Sequence, residues 1–277
     1  MEFLSSGHRE YLPYWSSMFH IKHLAKYSTL VGSLCLGNIA FKCKCQSMEN
    51  EKVSCNSFPA NNPSEDRYVT GETPGGYKVY GVFDGHGGWQ LSEYASTNLL
   101  KVIGEQLQKQ PNVATALTAT YNCIEESYIS KVIESYKLGF GEVGKVGSCA
   151  IVAVIKDKQL TVANSGDCRA VVGSVILPQS NQPPASVSVK ETPRSQALVN
   201  VNGVLYNAYQ INRDHNARTP LEQYLLHEAH PNEENIVVCK NSHACYVKGR
   251  LQLTRALGDA YLKYPEFNAP ANAHRSR

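Results

Sequence analysis

The sequence predicts an α+β fold in which helices stack on an antiparallel sheet, and three observations lead there. A β-rich run, Tyr77 to Phe83, stops at Asp84-Gly85. Two long stretches with helical spacing follow it. Then three short apolar runs are joined by turns too brief for parallel crossovers.

Taken in order, the elements are these. Between Tyr11 and Met48 no acidic residue occurs, and Tyr27 to Phe41 carries no charge. That stretch is shorter than the ~20 apolar residues a membrane span needs, and Gly32, Gly37 and Asn38 dilute it. Residues 1–58 are therefore expected to lie outside the domain as a poorly ordered leader or targeting segment, membrane attachment through it staying open. The domain is expected over 59–268, with 269–277 as a tail.

Tyr77 to Phe83 is rich in β-branched and aromatic residues and reads as a strand. Leu91, Tyr94, Ala95, Leu99, Val102 and Ile103 make one helical face; Leu117, Tyr121, Ile124, Tyr128 and Val132 make a second. Ala150–Ile155, Leu160–Ala163 and Arg169–Val172 are strands expected to pair antiparallel, with Asn164 to Asp167 as a tight hairpin turn. Pro178 to Asn202, rich in Ser, Pro and Gln, reads as a long surface loop. Thr219-Pro220-Leu221-Glu222 has the form of a capping box opening a helix through His230.

Composition excludes several classes. With 42% hydrophobic residues the chain can build a core, so disorder throughout is excluded. A net charge of +3 without any basic block gives no nucleic-acid footprint. Nine cysteines, an odd number without repeating spacing, predict reduced and mostly buried thiols in an intracellular protein, cytoplasmic or mitochondrial. His227, His230, Cys239, His243 and Cys245 lack the regular spacing of a metal site.

The informative run is Val82-Phe83-Asp84-Gly85-His86-Gly87-Gly88. A carboxylate at a strand end, followed by glycines, can approach a cation closely and let backbone carbonyls share in binding. His86 could reach the same point as a proton donor. A tight turn with Asp84 capping the next helix explains the same residues. Glu65-Asp66, Asn164-Ser165-Gly166-Asp167 and Gly258-Asp259 add further acids at element ends, where they can converge on one pocket.

In that order these motifs resemble the metal-dependent type 2C (PPM-type) protein serine/threonine phosphatase family. The likeness rests on Glu65-Asp66, Phe83 to Gly88, Gly147-Ser148-Cys149-Ala150 with Val162 to Ala170, and Arg255-Ala256-Leu257-Gly258-Asp259. Asn62 to Arg67 and Asp214-His215-Asn216-Ala217 look like the pyruvate dehydrogenase phosphatase branch. Asn61 stands where the broader family has a phosphate-holding arginine. The resemblance implies an antiparallel β-sandwich flanked by helices (α/β/β/α). It implies two Mg²⁺ or Mn²⁺ ions bridged by Asp84, with the Gly85 carbonyl on one and Asp66, helped by Glu65, serving both. Asp167 would sit at a weaker third position, Asp259 would support, and His86 would protonate the leaving oxygen of a phosphoprotein substrate.

The resemblance also implies an Asp-Gly stretch and an Asp-Asn pair beyond Asp259, where this sequence has only Glu266 as an acid. The expectation is therefore a domain lacking its C-terminal strands and two metal ligands, weak or inactive, with a non-catalytic pseudophosphatase binding module as the alternative. A kinase is the poorer reading. Gly139 to Val146 and Ala153-Val154-Ile155-Lys156 imitate its glycine loop and lysine strand, but no His-Arg-Asp, Asp-Phe-Gly or Ala-Pro-Glu follows.

Overall fold

The computed structural model describes residues 18–21, 28–33, 53–58, 60–157, 159–175, 196–201, 204–241 and 244–268. Two short strands come first, β1 (Met18–Ile21) and β2 (Ser28–Ser33). Each adds to a sheet edge, β1 beside β6 (Gln159–Ser165) and β2 beside β7 (Arg169–Val175). Residues 18–21 and 28–33 thus join the sandwich, which corrects the expectation that the whole of 1–58 lies outside it. Open edges offer unpaired backbone groups, so even a charge-poor segment finds partners there.

The main sheet continues through β3 (Asp66–Thr73), β4 (Tyr77–His86) and β5 (Gly147–Lys156), in the order β1-β6-β5-β4-β3. Neighbours along this order are antiparallel. Strand β3 carries no strand signal in the sequence, since Asp66-Arg67-Tyr68 opens it with charge and only its far end is buried. Strand β5 decides the layering. Its Ala150, Val152 and Val154 enter one core, while Cys149, Ile151 and Ala153 enter the other. That two-residue alternation puts the sheet between two packed layers.

One layer is helical. Helix α1 (Gln90–Lys109) and helix α2 (Val113–Lys137) bury Leu91, Ala95, Leu99, Ile103, Leu117, Ile124 and Val132, largely the two periodic faces read from the sequence. Asn112 caps α2 by accepting from the Thr115 N–H at 2.9 Å. Asp84 does not cap α1: it lies inside β4, and the α1 cap position is Trp89.

The other layer is a second sheet, β2-β7-β9-β8, formed with β8 (Gln196–Val201) and β9 (Val204–Gln210). Two expectations change here. Strands β5 and β6 pair as read, but β7 pairs with β2 and β9 and not with β6. The turn through Gly166 is therefore a corner between sheets. Gly166 has φ +101°, and a Cβ there would collide with the Cys149 side chain, so the chain folds down over β5 as it crosses. Within the stretch read as surface loop, Gln196–Val201 is a strand, because β9 supplies a hairpin partner.

Beyond the sandwich, helix α3 (Pro220–Ala229) packs against a hairpin of β10 (Val237–Asn241) and β11 (Ala244–Val247). Thr219 makes no side-chain cap bond. Glu222 turns inward, accepting from Thr254 Oγ1 at 2.6 Å and facing Arg213 at 3.6 Å, so the expected capping box does not form. Cys239 and Cys245 are cross-strand partners joined as a disulfide with S–S 2.02 Å, which corrects the expectation of reduced thiols for this pair. It also removes both cysteines from the His/Cys cluster considered above; His243 of that cluster lies outside the described residues. Cys149 and Cys168 are buried thiols as expected, while Cys55 and Cys123 are half-buried. Strand β12 (Leu257–Gly258) returns to pair with β5, and the short α4 (Ala260–Lys263) follows. No described helix is long and apolar enough to cross a membrane.

Candidate active site

The antiparallel ladders line up the site. Asp66 is the register partner of Asp84, and Asp84 in turn is the partner of Cys149. Successive pairing partners across a sheet point to one face. These three therefore form a row across β3, β4 and β5, at the sheet end nearest the corner.

The turn carrying Glu65 and Asp66 is clamped from several sides. Arg67 donates to the Ser64 carbonyl at 2.7 Å, to the Asp66 carbonyl at 2.8 Å and to Glu93 of α1 at 2.5 Å. Ser92 Oγ donates to the Glu65 carbonyl at 2.5 Å, and Asn61 Nδ2 donates to Glu65 at 2.6 Å. Asn61 thus orients a carboxylate, which an arginine in its place would also attract. Gly85 makes this packing possible. Its N–H reaches the Glu65 carbonyl at 3.2 Å, and a Cβ there would come within 2.5 Å of that same oxygen.

Burial, with the Glu65 charge added, pushes the Asp66 carboxyl above its ordinary range; a hydrogen bond from Asp84 and the charge of Arg67 pull the other way. A bond between two carboxyl groups needs a proton held between them. Crowded acids of this kind, beside a backbone carbonyl, are a donor set that fits hard divalent cations.

His86 stands at the end of β4, its Nε2 2.9 Å from Asp259 Oδ2 and 3.1 Å from Oδ1. Burial alone would lower the imidazole pKa. The Asp259 bond and charge, with Asp84 and Glu65 further off, outweigh it and raise the value above the usual 6.5. Asp259 is held in place by its neighbours. Its N–H donates to the Val146 carbonyl at 3.0 Å. Glu125 of α2 accepts from the Gly258 N–H at 2.7 Å and from Lys263 at 2.5 Å. Gly147 lies beneath the pair, and a Cβ on it would collide with both His86 and Asp259.

Asp167 is buried at the corner, accepting from Asn216 Nδ2 at 3.0 Å, with Cys149 Sγ 3.5 Å from its Oδ1. Glu65, Asp66, Asp84, Gly85, His86 and Asp167 all line one cavity of about 570 Å³. Asp259 reaches it only through His86. The same cavity is lined by Asn61, at the position compared above with a phosphate-holding arginine, and by Cys149, Tyr246 and Arg250, which the sequence reading did not assign to the site. Tyr246 and Arg250 come from the hairpin and the turn after it, and no local motif marks them.

A family profile described as Protein phosphatase 2C matches residues 43–275. Among curated proteins, Probable protein phosphatase 2C 68 of Arabidopsis thaliana is 35% identical over 228 residues, covering 80% of this chain and 52% of that protein. Probable protein phosphatase 2C 43 of Oryza sativa subsp. japonica is 31% identical over 209 residues, covering 75% and 47%. The chain spans about half the length of the curated relatives it matches. A solved structure described as that of a C. elegans sex determining protein superposes with a TM-score of 0.49 at 20% identity, covering 86% of this chain and 46% of that one.

Proposed function

The chain belongs to the protein phosphatase 2C family, and on that premise we propose that it is a metal-dependent hydrolase of phosphoserine and phosphothreonine in proteins. One observation carries the reading: Asp66 and Asp84 face each other at a cavity that also holds His86. Asp84 and Asp66, with Glu65 and the Gly85 carbonyl, would hold two Mg²⁺ or Mn²⁺ ions, and Asp167 would offer a weaker third position. Such a pair, when bound, supplies a water acidic enough to attack phosphorus and positive charge to offset the phosphate.

The remaining steps belong to the chain's own side chains. Asp259 favours the charged form of His86, fixes the ring and occupies its Nε2. Nδ1 is then the nitrogen that would present a proton to the leaving serine or threonine oxygen. Arg250 and Tyr246 line the outer cavity, where they would meet the phosphoprotein.

The carboxylates lining the cavity among the described residues are Glu65, Asp66, Asp84 and Asp167, and a hard dication such as Mg²⁺ binds through one or two carboxylates and keeps several waters. The rival reading is a binding module that recognises the phosphoprotein without hydrolysing it. Hydrolysis of a phosphothreonine peptide in millimolar Mn²⁺, set against the same protein with chelator, decides between them. Turnover that Asp84→Asn abolishes is the expected result. A folded preparation that binds the peptide but releases no phosphate would retire the catalytic reading in favour of the module.

A further inference from the structure

The cavity wall offers a second kind of metal chemistry. Asp84, Cys149 and Cys168 each present one ligand atom, and the three atoms lie within 4.8 Å of one another. Asp84 and Cys149 come from adjacent strands of the main sheet, while Cys168 sits on the corner leading to the second sheet. The thiols are 2% and 0% exposed.

We propose that Asp84, Cys149 and Cys168 form a site for Zn²⁺ or a similarly thiophilic divalent ion, distinct in chemistry from the oxygen site yet sharing Asp84 with it. Thiolate sulfur selects zinc and its softer relatives, whereas Mg²⁺ and Mn²⁺ prefer oxygen alone. Tetrahedral zinc, with sulfur at about 2.3 Å and oxygen at about 2.1 Å, keeps its ligand atoms roughly 3.5–3.8 Å apart. The three atoms here need close by only about 1 Å to meet that geometry.

Asp84 and Cys149 both line the cavity, so an ion has a way in and a water can take the fourth position. The Cys149 thiol donates to Asp167 Oδ1 at 3.5 Å, a bond given up when the sulfur loses its proton, and Asn216 holds that carboxylate beside the site. Binding converts two thiols to thiolates, so each ion taken up releases two protons to solvent and no electrons move. Because Asp84 cannot serve both sites fully, an ion held by the sulfurs withdraws a carboxylate from the oxygen site.

The test uses the full chain, stripped with chelator and titrated with Cd²⁺ as the spectroscopic probe, in the absence of any phosphopeptide. The expected result is a thiolate-to-cadmium charge-transfer band saturating at one equivalent. It should survive Cys123→Ser. In Cys149→Ser and Cys168→Ser it should fade, with affinity falling beyond the roughly 10- to 100-fold that outer partners are worth. Should those variants fail to fold, X-ray absorption of the Zn²⁺-loaded native chain reads the same feature as two sulfur neighbours. Absence of a band, a band indifferent to both serine variants, or a zinc shell of oxygen and nitrogen alone would overturn the proposal. A protein that shows the band but no phosphatase activity upholds this site and rejects only the catalytic reading.

Discussion

Asp66 and Asp84 are direct partners across the β3–β4 ladder, so backbone pairing brings together two acids 18 positions apart. The cost falls on Asp66, whose carboxyl is pushed up by burial and by Glu65. An acid with a raised folded pKa favours the fold while it is protonated; that contribution is lost as pH rises through the folded value. Asp66→Asn is therefore expected to raise the melting temperature at neutral pH in chelator, and to lower the gain in melting temperature on adding Mn²⁺. A variant that melts lower than wild type in chelator would show that the acid pair is not a source of strain.

The His86–Asp259 pair predicts a pH effect. Asp259 helps hold the imidazole above its usual value, so the proton-bearing form persists to higher pH. Removing the partner leaves burial opposed only by Asp84 and Glu65, which lowers the pKa. Asp259→Asn should move the alkaline limb of the kcat profile to lower pH, while His86→Gln should remove that limb and cost roughly 10²- to 10⁴-fold in kcat. An alkaline limb unmoved by Asp259→Asn would separate His86 from the proton transfer.

Gly147 tests the same pair from below. A methyl group there meets both His86 and Asp259, and overpacking of this kind costs about 1–3 kcal/mol. Gly147→Ala should lower the denaturation midpoint and reproduce the Asp259→Asn shift in the pH profile. Mn²⁺ affinity, proposed above to rest on Asp66 and Asp84, should change little by comparison.

How much of this was legible in the residues depends on range. The α1 and α2 faces and the β5–β6 pair follow local periodicity, and they stand where the sequence put them. The corner at Gly166 does not, since the pattern of Arg169–Val172 is equally suited to β6 or to β9 as a partner; only packing over Cys149 chooses. β3 was hidden because its first residues are charged and do not alternate as for a core. Asp84 carried two local explanations, cap and ligand, and its place within β4 beside Asp66 removes the first. Tyr246 and Arg250 reach the cavity by long-range folding of the hairpin, and the Cys239–Cys245 disulfide follows from a cross-strand pairing that spacing alone did not reveal.

That disulfide closes a loop over a separation of six residues, for which chain entropy gives about 2 kcal/mol. The hairpin it closes carries Tyr246 to the cavity. Cys239→Ser with Cys245→Ser should raise hydrogen exchange in Val237–Val247 and raise KM for a phosphopeptide more than it lowers kcat. Exchange unchanged in that hairpin would mean that β10–β11 pairing and α3 suffice to hold it.

Tyr121 ties the helical layer to the sheet. Its hydroxyl lies 3.1 Å from the Ala150 carbonyl and 3.0 Å from that of Ala163, on neighbouring strands β5 and β6. Burial raises its pKa well above 10, and Tyr128 is pushed up to about 12. Both stay protonated in the fold while the unfolded chain ionises near pH 10. Their contribution is whole below that pH and declines as pH rises from there through the folded values. Tyr121→Phe should cost about 1–2 kcal/mol at neutral pH through the lost hydrogen bond. The variant should also lose stability less steeply above pH 10, since the suppressed ionisation of Tyr121 is gone. Chemical denaturation at pH 7 and again near pH 10.5 measures both effects. Equal alkaline slopes in variant and wild type would mean that the Tyr121 hydroxyl ionises in the fold as readily as in the open chain, against its burial beneath α2.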